Sequence, residues 1–178
     1  MSLKDLTAEK HTEAENTPFM KAVFANTLSS NIWADWTYNK ILICAGVEST
    51  CAKFGHLNDL PNINRVTRLW NDYLQMTNNQ YLHTWHDQTI DYNNYIRNLD
   101  SNKSLAHLYV WYLGDMYGGQ MIRETLTFPT TSLEFEDVDN LKINLRSKLT
   151  DDLAEEANIA FDWAINIMRT YDSMLAQN

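Results

Sequence analysis

The sequence predicts an all-α protein, and three observations carry that prediction. Its 178 residues include only 5 Gly and 3 Pro, too few to punctuate a many-stranded fold. Apolar residues make up 44% of the chain, with 6 Trp, 9 Tyr and 6 Phe, which is ample for a packed core. Along most of the chain they recur at helical spacing, without strand alternation, internal repeats or low-complexity tracts. A chain of this length is expected to form one domain, residues 1–178.

Each element has its own signal. Ser2 is a candidate N-cap with Asp5 in the first turn, and Leu3, Leu6, Thr7, His11 and Ala14 continue at helical spacing. Thr17-Pro18 restarts the chain as a short helix through Phe19, Met20, Val23 and Phe24, because Pro suits the first helical position. Residues 26–31 read as a loop. Ile32, Trp36, Ile43, Val47 and Phe54 describe a long amphipathic helix ended by Gly55. Pro61 is expected to begin the next helix, which runs through Val66, Leu69, Trp70, Tyr73 and Leu74 to Met76. Another covers residues 90–99 after an Asn-rich stretch. Residues 105–128 form a glycine-bearing helix, residues 129–137 a polar loop, and residues 138–149 a further helix. A last helix, capped by Thr150, is expected to reach Leu175.

Charge and cysteine content narrow the classes of function. A formal net charge of -9 disfavours a nucleic-acid partner, which requires phosphate neutralisation. No run of 18 apolar residues and no signal-like segment occurs, so a soluble cytoplasmic protein without a membrane anchor is expected. Cys44 and Cys51 lie two turns apart on one predicted helix, roughly 10 Å at 1.5 Å per residue, too far for a mutual disulfide. With no basic partner nearby in sequence, they read as buried thiols rather than nucleophiles.

Three of the five glycines fall within six residues, in Tyr112-Leu113-Gly114-Asp115-Met116-Tyr117-Gly118-Gly119-Gln120. A mid-helix Gly costs about 1 kcal/mol relative to Ala. Gly114 and Gly118, four apart, put bare backbone on one helical face, suited either to a packing kink or to contact with something flat. In the first helix, His11 is followed one turn later by Ala14 and Glu15, a small residue leaving room beside the ring and a carboxylate to orient it. Either feature alone has a bland explanation. Together they supply the two walls that a planar metallocofactor needs.

Leu3-Lys4, His11-Thr12-Glu13-Ala14-Glu15-Asn16, Phe19-Met20 and the glycine segment resemble the signatures of the heme oxygenase family, at that family's separation. The resemblance runs almost end to end. It implies a heme sandwiched between an N-terminal proximal helix and a Gly-rich, kinked distal helix. In such enzymes heme is both cofactor and substrate: the ring opens at one meso carbon, here expected to be α, giving biliverdin, ferrous iron and carbon monoxide from dioxygen and seven electrons. The resemblance makes His11 the iron ligand and Glu15 its nearby carboxylate. Lys4, Tyr109, Lys142 and Arg146 would address the propionates, and Met20, Gly119, Phe161 and Met168 would contribute to the pocket. Gly114 and Gly118 would let the distal helix lie against the ring, while Asp115 would organise the waters that deliver protons.

Two departures stand out. Val110-Trp111 occupies the place where the family carries Thr-Arg, and Met116-Tyr117 precedes the glycine pair where the family has a small Ser. No GxGxxG fingerprint is present, so electrons are expected from a partner, with ferredoxin the first choice, docking on a rim of Lys4, Lys142, Arg146 and Lys148. A downstream bilin reductase and a role in bilin pigment synthesis are the corresponding expectations. The rival reading is a non-catalytic heme-binding or heme-delivery protein, against which Asp115 argues. A di-iron bundle would need Glu-x-x-His pairs, which the chain lacks. His83 and His86 are read as surface or capping residues.

Overall fold

A computed structural model of the chain describes residues 1–177, and among them every regular element is helical. The first helix starts as its sequence dictates. Ser2 Oγ accepts from the Asp5 amide at 3.3 Å while the Asp5 carboxylate accepts from the Ser2 amide at 3.0 Å, a reciprocal cap. The helix is not continuous, however. Thr7 turns its hydroxyl back onto the Leu3 carbonyl (2.9 Å) and separates α1 (Leu3–Leu6) from α2 (Ala8–Glu15). Thr17 caps α3 (Pro18–Phe24), with Pro18 in the first turn as expected.

The long helix α4 (Ser30–Lys53) begins at its Ser29 cap and ends at Phe54, where Gly55 takes the left-handed φ of 75°. It packs along α5 (Val66–Met76), α6 (Asp87–Arg97) and α7 (Ser101–Leu108). Pro61 does not start a helix. Residues 54–65 form turns instead, because the buried Arg65 guanidinium collects the carbonyls of Asn62, Ile63, Ser132 and Glu134 and so holds the preceding backbone out of helical register. Asp72 accepts from the amides of Thr131 and Ser132 at 3.0 and 2.9 Å. Together these two buried residues clamp the short 3-10 turn Thr131–Leu133 onto α5.

The glycine-bearing segment is also subdivided. After α7 comes a π-helical turn, Tyr109–Leu113, and then α8 (Gly114–Thr125). The change in winding therefore lies ahead of the glycines rather than at them. The turn is pinned from two sides: Trp111 Nε1 donates to Tyr92 Oη on α6 at 2.8 Å, and Tyr112 Oη donates to Glu48 Oε1 on α4 at 2.7 Å. Burial raises the Glu48 carboxyl above its usual range despite hydrogen bonds from the Arg65 amide, Tyr112 and Asn64.

Helix α9 (Val138–Arg146) stops short of the expected Leu149, and Thr150 leads into a 3-10 turn, Asp151–Leu153, before α10 (Ala154–Arg169). The last helix breaks at Thr170, whose hydroxyl returns to the Ile167 carbonyl, and α11 (Asp172–Leu175) follows. The break sends Tyr171 fully inward to donate to Asp35 at 2.8 Å and to pack with Phe19 and Trp36. Cys44 and Cys51 are free and buried, and burial pushes both thiols up to about 12, as their apolar setting predicts.

Candidate functional site

One side-chain contact joins α2 to the turn that leads into α8. Thr7 Oγ1 and Tyr109 Oη are 3.2 Å apart, joining the start of α2 to the π-turn. From there α2 carries His11 one turn on, and α8 carries Gly114 and then Gly118. α10 backs α2: the Phe161 ring meets His11 edge-on at 5.9 Å, Asn158 donates to the Leu6 carbonyl, and Lys10 pairs with Asp162 at 2.8 Å. α3 packs against α8.

The two helices have complementary properties. The His11 side chain is 54% exposed, with Glu15 Oε1 3.7 Å from Nε2, beyond hydrogen-bond reach. A small ring rotation lets one nitrogen meet the carboxylate and leaves the other free as a ligand, the usual arrangement of a metal-binding histidine. On α8, a Cβ built at Gly114 or Gly118 would meet nothing within 4 Å, so bare backbone borders open space over a full turn. These residues fit a flat ring carrying a ligatable metal. Gly119 belongs to a different contact: its added Cβ would come 3.2 Å from Leu133 Cδ2, and Gln120 Nε2 donates to the Leu133 carbonyl at 3.1 Å. Through Leu133, the Arg65 and Asp72 clamp fixes where α8 lies.

Asp115 has a partner the sequence did not disclose. Lys40, from the middle of α4, places its ammonium 2.8 Å from Oδ1 and 2.7 Å from Oδ2. The two side chains are 8% and 16% exposed. Lys40 stands between the polar Asn39 and the apolar run Ile41-Leu42-Ile43-Cys44 of α4, and a lysine at the edge of that run was the available signal. Trp111 is aimed elsewhere, at Tyr92, inside a buried chain in which Tyr92 also meets His107 Nδ1 at 2.6 Å and His107 Nε2 meets Glu156 Oε1 at 2.9 Å.

Of the other expected residues, Lys142 and Arg146 stack on the Tyr117 ring, at 4.1 and 4.9 Å from its centroid. Lys148 pairs with Asp59, at 2.6 Å. Lys4 is exposed, and Met20 is half-buried against the core. Met168 is buried and accepts from Thr17 Oγ1 at 3.6 Å, so it supports the turn between α2 and α3. His86 stands at the N-cap position of α6 and pairs with Asp35 at 2.7 Å, while His83 bonds Tyr73 and Asn31. Among the described residues no group of three or more His, Cys, Asp or Glu converges as a metal site, and no helix is long and apolar enough to cross a membrane.

Comparison with known proteins identifies the family and the fold. The family model described as heme oxygenase matches residues 1–148. A heme oxygenase of Guillardia theta is 26% identical, over 91% of this chain and 81% of that protein, and heme oxygenase 2 of Mus musculus is 26% identical over 98% and 67% respectively. The fold matches that of heme oxygenase-1 from Synechocystis sp. PCC6803, solved in complex with heme, at a TM-score of 0.87 and 22% identity over 98% of this chain and 92% of that one. It also matches the heme oxygenase of Leptospira interrogans, with a TM-score of 0.84 and 21% identity over 94% and 98%. A match that takes in the half-exposed histidine, the open glycine face and the carboxylate between the glycines places this chain in the heme oxygenase family.

Proposed function

We propose that this chain binds heme in the opening between α2 and α8 and cleaves it to biliverdin IXα, ferrous iron and carbon monoxide, drawing electrons from a small acidic redox protein such as ferredoxin. The observation that carries the reading is a half-exposed His11 on α2 together with bare backbone bordering open space at Gly114 and Gly118 on α8. Bound heme supplies the iron that activates dioxygen, and its ring is the material oxidised.

The protein's part is to hold, orient and proton-manage. His11 would hold the iron. A neutral imidazole in that place would donate less electron density to the iron than a thiolate. Glu15 orients the ring and Phe161 buttresses its edge. Lys142 and Arg146, with Lys4 and Tyr109, would hold the propionates and so orient the ring. Gly114 and Gly118 let α8 approach the ring and exclude bulk from one side. Asp115, in the first turn of α8, accepts and passes protons through water. The product would feed bilin pigment synthesis through a downstream reductase.

An absorption time course of the protein with one equivalent of hemin, ferredoxin, ferredoxin reductase and reduced nicotinamide under air tests this. The expected outcome is loss of the Soret band with growth of a biliverdin spectrum. A Soret complex that persists under reduction would make the chain a heme carrier, and the absence of a complex would overturn both readings.

A further inference from the structure

We propose that Lys40 is the positioning residue for Asp115, supplying from α4 the distal cation that this chain lacks at Trp111. The inference rests on the heme oxygenase reading above. Asp115 has no other side-chain partner among the described residues, since Lys40 meets both its oxygens at 2.8 and 2.7 Å. Burying two opposite charges is costly in desolvation and is often replaceable by apolar packing without loss of stability, so the pair needs a reason other than stability. Position supplies one. Asp115 follows Gly114, beside which the space is open, and Lys40 lies beneath on the longest helix of the fold, itself packed on three others.

The chemistry of the ammonium suits this role. Lys40 has three donors, Asp115 takes two, and no protein acceptor among the described residues takes the third, leaving one N–H for a water beside the carboxylate. The carboxylate is thereby fixed in one rotamer beside a free donor, which suits it to passing protons through solvent. Trp111 cannot share this work, because its indole N–H is committed to Tyr92 and its place is on the buried side of the π-turn. Cys44, one turn beyond Lys40 on α4, carries a buried thiol pushed up to about 12 and adds no competing charge.

The test combines a readout on the heme-free protein with one on turnover. In nitrogen-detected lysine spectra of the heme-free protein, only an ammonium shielded from water and held by acceptors exchanges slowly enough to be seen. One such signal is expected to be lost in Lys40→Met and equally in Asp115→Asn. Hemin affinity of Lys40→Met should stay within about threefold of wild type, while biliverdin formation falls about 10²-fold, the scale for misplacing a catalytic group by about an ångström. Lys40→Arg should recover most of that loss, and Lys40→Met/Asp115→Asn should be no slower than the slower single variant. A Lys40 signal that survives Asp115→Asn, or full biliverdin formation by Lys40→Met, would overturn the proposal. Wild-type protein that binds hemin without converting it would remove the role in turnover because the parent reading has failed; a Lys40 signal still lost in Asp115→Asn would identify that case.

Discussion

The Lys142 ammonium lies 4.1 Å from the centroid of the Tyr117 ring, with the Arg146 guanidinium beside it at 4.9 Å. The two cations assigned to the propionates are thus held by a ring that stands where the family has a small residue. A ligand that draws them off that ring must offset the contact. Cation–π contacts at an exposed site are worth about 0.5–1 kcal/mol. Tyr117→Ser is therefore expected to tighten hemin binding about two- to fivefold, read by absorption titration. Unchanged affinity would mean that the ring moves with the cations and does not compete for them.

The adjacent glycines should behave as opposites. Space is open at Gly118, so Gly118→Ala should raise the stability of the heme-free protein by about 0.5–1 kcal/mol in urea unfolding, by removing the conformational freedom of glycine in a helix. Gly119→Ala should gain nothing, because its Cβ comes 3.2 Å from Leu133 Cδ2 in a loop that Arg65 and Asp72 hold in place. Hemin affinity reverses the order: Gly118→Leu puts bulk into the opening and should cost about tenfold or more, on the scale of about 1–3 kcal/mol for overpacking. Equal effects at the two positions would show that they share one environment.

The fold class was legible because its signals are local. Ser2 with Asp5, Thr17-Pro18 and Gly55 each mark a helix end through chemistry contained in a few residues. Breaks set by distant partners were not legible. Pro61 fails to start a helix because Arg65 bonds carbonyls near residue 133, and the π-turn sits where Tyr92 and Glu48 hold Trp111 and Tyr112. The same division holds at the candidate site. His11, Glu15 and the glycines could be found by spacing within one helix. Lys40 needs knowledge of which helix lies beneath Asp115, and the Tyr117 stack needs the position of α9 against α8. Gly119 was grouped with its neighbours by sequence, although the structure gives it a packing contact.

His11 is half exposed and touches the protein mainly through the Phe161 ring. His11→Ala should therefore cost the heme-free protein at most about 1.5 kcal/mol, the upper range for an edge-on aromatic pair. The hemin complex should change far more, losing the spectrum of an imidazole-ligated iron and recovering it when free imidazole is added. An unaltered hemin spectrum in His11→Ala would move the ligand to another residue.

The buried His107 gives the stability a pH dependence of defined sign. Its ring is fully buried, and burial lowers its pKa below the ordinary histidine value although the nearby Glu156 acts in the opposite direction. Between the lowered folded value and about 6.5 in the unfolded chain, the unfolded state binds the extra proton. This contribution is therefore complete above about pH 6.5 and is lost as the pH falls below it, with a slope of at most about 1.4 kcal/mol per pH unit for one proton. Glu156 adds to the same trend at lower pH: burial pushes its carboxyl up, and hydrogen bonds from His107 and Tyr95 overcome that and hold it below the usual range. Urea midpoints measured at pH 7.5 and pH 5.5 should fall further for wild type than for His107→Gln, which keeps a donor for Glu156 without a group that takes up the proton. Because His107 is linked through Tyr92 to Trp111, acid should also loosen the π-turn that leads into α8, and hemin affinity should decline over the same pH interval in wild type more than in the variant.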